Sequence, residues 1–179
     1  MSGPAGWVLH HEEPLFSNAH VSVGLATVTT PSGETVGHHV IRASYPDAAA
    51  LVTNGDRVLL AWRHRFITGQ WGWELPSGAM QRDENPVAAA QRVVRQQVGW
   101  ATGTGHYCWS MARLPDRSDH VGHLVVLPGD HTVARPNPDE VADVRWWPAS
   151  AVLDLIARDA LNDVFTAAAL LWNLNQVPI

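Results

Sequence analysis

Apolar and polar positions alternate along the first part of the chain, and the alternation breaks at proline, glycine and asparagine. Val21 to Thr29 and Thr35 to Ala43 are β-rich runs flanking a Pro-Ser-Gly turn, which predicts a hairpin. Ala48 to Thr53 and Arg57 to Phe66 predict a second strand pair, joined through Asn54-Gly55-Asp56. "WGWELP" is a short strand ended by Pro76, because proline cannot donate to a ladder. Asn85 then reads as an N-cap, Pro86 as the first helical residue and Gly99 as the stop, giving a helix over Pro86 to Val98. Strands follow at "HYCWSMARL", "HVGHLVVLP" and "DVRWWPA". The segments "SAVLDLIARD" and "DVFTAAALLWNLNQ" carry apolar residues at three- and four-residue spacing, as amphipathic helices do. The order predicts a mixed α/β sheet with helices packed on it, most simply an α/β/α sandwich.

No repeat or long linker divides the 179 residues, so one domain over 1–179 is expected, with 1–45 as an N-terminal hairpin region. No apolar run approaches the ~20 residues that span a bilayer. "MSGPAGWVLHHEEPLF" lacks the basic-then-apolar order of a signal peptide. A single cysteine, Cys108, excludes an internal disulfide and makes a reducing cytoplasm the default. The net charge of -5 argues against general nucleic-acid binding, which needs a basic stripe. All twelve basic residues are arginine, which excludes lysine chemistry, although genomic base composition accounts for that as readily. Nine tryptophans are many for this length, and most are expected in the core.

Around the predicted helix, Gly78, Glu84, Arg92, Val94, Gly99 and Trp100 stand at fixed spacings. Together they resemble the Nudix box, G-x5-E-x7-R-E-U-x-E-E-x-G-U, where U is bulky and apolar. "WGWELPSGAM" is similar to the lead-in of ADP-ribose pyrophosphatases, and "RHRF" stands where that subgroup carries an arginine-rich strand. The closing "VRWWPASAVLDLIARDALNDVFTAAALL" is similar too, so the likeness runs from Ser22 to Leu171. It implies a Nudix-type sandwich, hydrolysis of a nucleoside diphosphate derivative, and a homodimer for which the first hairpin is available. Gly78, Glu84, Arg92 and Gly99 would be structural, with Glu84 and Arg92 bracing the loop onto the helix.

The departures from that pattern bear on activity. The family's glutamates would stand at 93, 96 and 97, where this chain has Val93, Gln96 and Gln97. Offsets of zero, three and four put them on one helical face. That face is acidic in the family because it holds divalent metal against a pyrophosphate, and Mg²⁺ favours carboxylate oxygen. From Asn85 to Pro115 there is no acidic residue at all. No metal is therefore expected at the box helix. Mg²⁺ or Mn²⁺ enters only if carboxylates elsewhere rebuild a site.

Glu74 and Glu140 are the candidate catalytic carboxylates outside the helix. Asp83, Asp139, Asp143, Asp116 and Asp119 are loop acids whose plainer reading is a solvated charge. Arg65 matches the subgroup's arginine before the box, and Arg63 shares its strand face; guanidinium suits a diphosphate. Arg95 adds to the basic character of the helix. Trp71 and Trp73 lead as base-stacking candidates, ahead of Trp62 and Trp109. His38, His39, His120 and His123 do not share a zinc spacing, Cys108 reads as a small buried residue, and Ser77 and Ser110 lack an evident base. The leading expectation is a nucleoside-diphosphate or other phosphorylated small-molecule binder with metal-dependent catalysis lost or much reduced. The rivals are an active enzyme, either a hydrolase using carboxylates outside the helix or a repurposed fold doing different chemistry, and a purely structural dimer.

Overall fold

The computed structural model describes residues 5–100, 102–129 and 136–175. Met1–Pro4, which open the N-terminal segment, and Gln176, the predicted end of the last helix, lie outside them. The chain forms two compact units. The first runs to Pro46 and takes in Ala112–Val121; the second comprises Asp47–Met111 and the chain from Gly122 onward.

The first unit is a three-stranded antiparallel sheet in the order β1-β2-β3. Its strands are β1 (Val8–Ser17), β2 (Val21–Thr29) and β3 (Thr35–Ala43). The predicted hairpin is β2–β3, closed by a turn with Gly33 at φ 92°. Strand β1 was not evident from hydropathy because nine of its ten residues are exposed and Pro14 interrupts it. Pairing with β2 across two bulges makes it a strand. Arg42 ties β3 to β1 through Glu12 and to the 112–121 segment through Asp119.

The second unit carries the larger sheet, ordered β10-β5-β4-β9-β8. Its strands are β4 (Asp47–Asn54), β5 (Arg57–Arg65), β6 (Gln70–Glu74), β7 (Ser77–Ala79), β8 (His106–Ala112), β9 (Val121–Pro128) and β10 (Asp143–Pro148). Strand β4 runs parallel to β9 and antiparallel to β5, so the sheet is mixed as expected. Strand β6 pairs with the far half of β5, and β7 pairs with the start of β4. The three-residue β7 carries no apolar pattern to betray it; backbone pairing with β4 creates it.

Helix α1 (Pro86–Val98) packs on one face, and α2 (Val152–Ala157) and α3 (Val164–Leu174) on the other. Successive side chains of a strand point to opposite faces. Thus Ala48, Ala50 and Val52 of β4 pack with Ala89, Ala90 and Val94 of α1. Ala49 and Leu51 pack with Leu155, Phe165 and Leu170. Among the described residues no helix is long and apolar enough to cross a membrane.

Candidate functional site

Helix α1 begins and ends where its capping residues dictate. The Asn85 side chain accepts from the Ala88 N–H at 2.9 Å, Pro86 opens the helix, and Gly99 closes it at φ 73°. The loop ahead of it is pinned by one ion pair. Arg92 grips both oxygens of Glu84, at 2.8 and 2.7 Å, and the same guanidinium donates to the Ala79 carbonyl at 2.8 Å. Glu84 also accepts from the Gln81 N–H.

Arg92's hydrogen bonds hold the Glu84 carboxyl below its ordinary range, with the Gln81 N–H adding to the effect. A depressed carboxyl stabilises the fold above its unfolded pKa, and that contribution is lost as pH falls through the folded value. The melting temperature should therefore fall as acid titrates Glu84 below the ordinary carboxylate range. Arg92→Met should lower it at neutral pH and flatten that acid limb. Thermal melts of both proteins across pH check this. Their difference is needed because Glu12, paired with Arg42, titrates in the same direction.

The helix face at 93, 96 and 97 is engaged by the protein itself. Val93 is 2% exposed and packs over Gly78, where a Cβ would lie 3.3 Å from Val93 Cγ2. The Gln96 Oε1 accepts from Arg92 at 3.0 Å. Gln97, 4% exposed, bonds both backbone groups of Ser77: its Nε2 donates to the carbonyl at 2.9 Å, and its Oε1 accepts the N–H at 3.3 Å. Arg95 is exposed at the last turn, and its carbonyl accepts the Gly99 N–H. The Gln97–Ser77 pairing was not anticipated; no local signal announces a contact set by the packing of α1 on β7.

Register separates the remaining candidates between two sheet faces. Arg63 and Arg65 of β5 alternate with Trp62 and His64, and β6 pairs Glu74 with Ala61 and Trp71 with His64. Leu59 belongs to the α1-side core and Leu60 to the α3-side core. Arg63, Arg65 and Glu74 thus lie on the α1 side, and the tryptophans on the other.

Glu74 is 1% exposed, with both oxygens held by Arg65. Arg63, half-buried, donates to the Ser77 carbonyl at 3.3 Å. Burial, followed by repulsion from Arg65, lowers its pKa. Among the described residues its one hydrogen-bond partner is that carbonyl, so its charge has no carboxylate within ion-pair distance. Glu140 is exposed and exerts a favourable field on Arg63.

Trp71 is 48% exposed and stacks on Trp62, with centroids 6.0 Å apart. Trp73 is core, against Trp62 and Trp147, with the Arg145 guanidinium 5.4 Å from its ring centre. Trp109 packs on Phe165 and Trp172.

The other acids are dispersed. Asp83 is an exposed loop residue at φ 62°, Asp139 is exposed, and Asp143 pairs with Arg145. Asp116 and Asp119 belong to the first unit, where they line a cavity of about 570 Å³ with Trp7, Val28, His38 and Arg42. His38 contacts the Asp116 carbonyl at 2.7 Å, while His39 is exposed. His120 is half-buried, and His123 lies near Tyr107 with burial lowering its pKa. Burial pushes the Cys108 thiol up, away from a reactive thiolate. Ser110 is exposed on β8. Among the described residues no three His, Cys, Asp or Glu side chains gather as a metal-binding group.

Comparison with known proteins agrees with this architecture. The NUDIX domain pattern matches residues 44–168. A CMP-5'-(N-acetyl-N-hydroxy-3-aminopropyl)phosphonate hydrolase of Streptomyces rubellomurinus is 30% identical over 168 residues, covering 92% of this chain and 81% of the relative. An ADP-ribose pyrophosphatase of Mycobacterium tuberculosis is 25% identical over 163 residues, covering 88% of this chain and 79% of that one. The crystal structure of an ADP compounds hydrolase superposes with a TM-score of 0.83 at 14% identity, covering 100% of both chains, which shows a shared fold. Since the domain pattern spans most of the chain and its mixed sheet carries helices on both faces, the chain belongs to the Nudix family.

Proposed function

We propose that this protein binds a nucleoside diphosphate derivative or a related phosphorylated small molecule, and that metal-dependent hydrolysis is lost or strongly reduced. The observation that carries the reading is the state of the α1 face. Val93 has no donor atom and is packed on Gly78, Gln96 accepts from Arg92, and Gln97 is committed to Ser77. These residues do not fit a hard divalent cation, which needs several oxygen ligands and favours anionic ones. Glu74 and Glu84 do not make up the deficit, because each is already neutralised by an arginine.

Arg63 supports the binding half of the reading. A half-buried guanidinium without an ion-pair partner among the described residues favours an anion, and a diphosphate presents the planar pairs of oxygens it prefers. Arg65 beside it adds little to that potential, because its charge is taken by Glu74. Trp71 offers an exposed indole face, although it lies on the other side of the sheet from the guanidiniums. The two relatives are named for a CMP-5'-phosphonate and for ADP-ribose, and both names support a nucleotide-derived ligand. Exposed Val8, Leu9, Leu15 and Phe16 of β1 support a homodimer, which light scattering after gel filtration tests.

The second reading, an active hydrolase drawing on Glu74 and Glu140, is favoured by those same names and by Glu140's influence on Arg63. A hydrolysis panel separates the two. ADP-ribose, nucleotide sugars, dinucleotides and a CMP-5'-phosphonate are incubated with Mg²⁺ or Mn²⁺, beside calorimetric binding. Binding without turnover is expected. Turnover at ordinary enzymatic rates, abolished by Glu74→Gln or Glu140→Gln, would establish the second reading instead.

A further inference from the structure

Gln97 occupies a position where the family pattern has glutamate, and its contact with Ser77 suggests why an amide stands there. The Ser77 carbonyl lies 2.9 Å from Gln97 Nε2 and 3.3 Å from Arg63 Nη1. Both Ser77 and Gln97 are buried, at 8% and 4% exposure. A carboxylate of the same shape would put an oxygen where Nε2 is. Two acceptors would then face each other in a buried place, with Arg63's one longer hydrogen bond to offset them. A cation between the oxygens removes that conflict. An N–H donor removes it too.

We infer that the Gln97 amide is a built-in substitute for a divalent cation at the Ser77 carbonyl, with the longer bond from Arg63 secondary to it. It holds the β6–β7 loop against α1 and leaves Arg63 set for an anion without metal. The inference rests on the reading that 97 is a box position. It adds that the site is independent of metal in its structure as well as inactive in its chemistry. Gln97 is a positioning residue here. Asparagine and glutamine are the only side chains that offer one amide donor and one carbonyl acceptor together, as the Ser77 N–H and C=O require. The second half of the pairing, from Ser77 N–H to Gln97 Oε1, survives a change to glutamate. The defect created by Gln97→Glu is therefore confined to the carbonyl side.

The test is thermal unfolding of the full chain in chelator, in Mg²⁺ and in Mn²⁺, with no nucleotide present. The wild-type melting temperature should be the same in all three. Gln97→Glu should melt roughly 5–10 °C lower in chelator and recover most of that loss with Mn²⁺ or Mg²⁺. Gln97→Met, which removes both hydrogen bonds without adding charge, should melt lower and show no recovery. In chelator the Gln97→Glu defect should grow as pH rises, because a protonated carboxyl can donate to the Ser77 carbonyl and a carboxylate cannot.

Three results would overturn the inference. One is wild-type stabilisation by divalent cation that Gln97→Met abolishes. Another is a Gln97→Glu protein indifferent to chelator. The third is one that cation fails to restore, including one that does not fold in either condition. Because no nucleotide enters the assay, these outcomes are independent of whether the wild-type protein binds or hydrolyses one.

Discussion

Arg65→Met should destabilise the protein by about 3 kcal/mol, the largest stability loss expected from a single change near the site. The reason lies with its partner. Glu74 is 1% exposed and both of its oxygens are satisfied by the Arg65 guanidinium. Methionine keeps much of the aliphatic stem that covers Glu74 but supplies no donor. The carboxylate must then be buried unpaired, take up a proton or drag water inward, and each course is unfavourable. The loss stays at the lower end of the range for buried pairs because the Arg65 side chain is 42% exposed, so water can reach part of the vacated space. Glu74→Gln in the same background should return a large part of the stability. Denaturant titrations of the two single variants and the double variant measure the coupling. Additive losses would mean that the pair does not hold the β5–β6 hairpin as described.

Arg63→Ala should do the opposite: leave the fold nearly intact and weaken ligand binding by roughly 10- to 100-fold. Its hydrogen bond among the described residues goes to the Ser77 carbonyl, which keeps the shorter bond from Gln97 after the change. Removing a half-buried guanidinium that has no ion-pair partner among the described residues also relieves repulsion with Arg65. What is lost is the charge-assisted contact to an anionic linker. Calorimetry with ADP-ribose or the tightest ligand of the panel, beside a thermal melt, distinguishes the two effects. A large fall in melting temperature with unchanged affinity would make Arg63 a structural residue and remove the main support for the anion site.

Much of this arrangement was legible in the residues, for identifiable reasons. The bounds of α1 followed from Asn85, Pro86 and Gly99, because caps are local chemistry. The β4–β5 turn followed from Asn54-Gly55, and Gly55 does adopt positive φ. The fold class followed from element order, and the bracing of Glu84 by Arg92 from the family spacing. Strands β1 and β7 were hidden because pairing makes them, with no hydrophobic face of their own. The predicted strand to Phe66 ends one residue early, where an exposed turn reverses the chain into β6. The partners of Glu74, Arg63 and Gln97 were also hidden. They depend on which strands are neighbours and on how α1 lies over β7, which spacing along one segment does not encode. Trp71 and Trp73 are equivalent in sequence and share one face of β6, yet Trp73 packs against Trp62 and Trp147 in the core and Trp71, opposite His64, stays half-exposed.

In the function proposed above, this Nudix fold holds a nucleotide-derived ligand without cleaving it in the usual metal-dependent way. Its most direct test is a single-turnover assay, with protein in excess over ligand shown by calorimetry to be bound, in the presence of Mg²⁺ and Mn²⁺. The ligand is expected to be recovered intact, or to be cleaved at least a hundred times more slowly (on the order of 3 kcal/mol in barrier) than by an active relative under the same conditions. Cleavage at the relative's rate would contradict it.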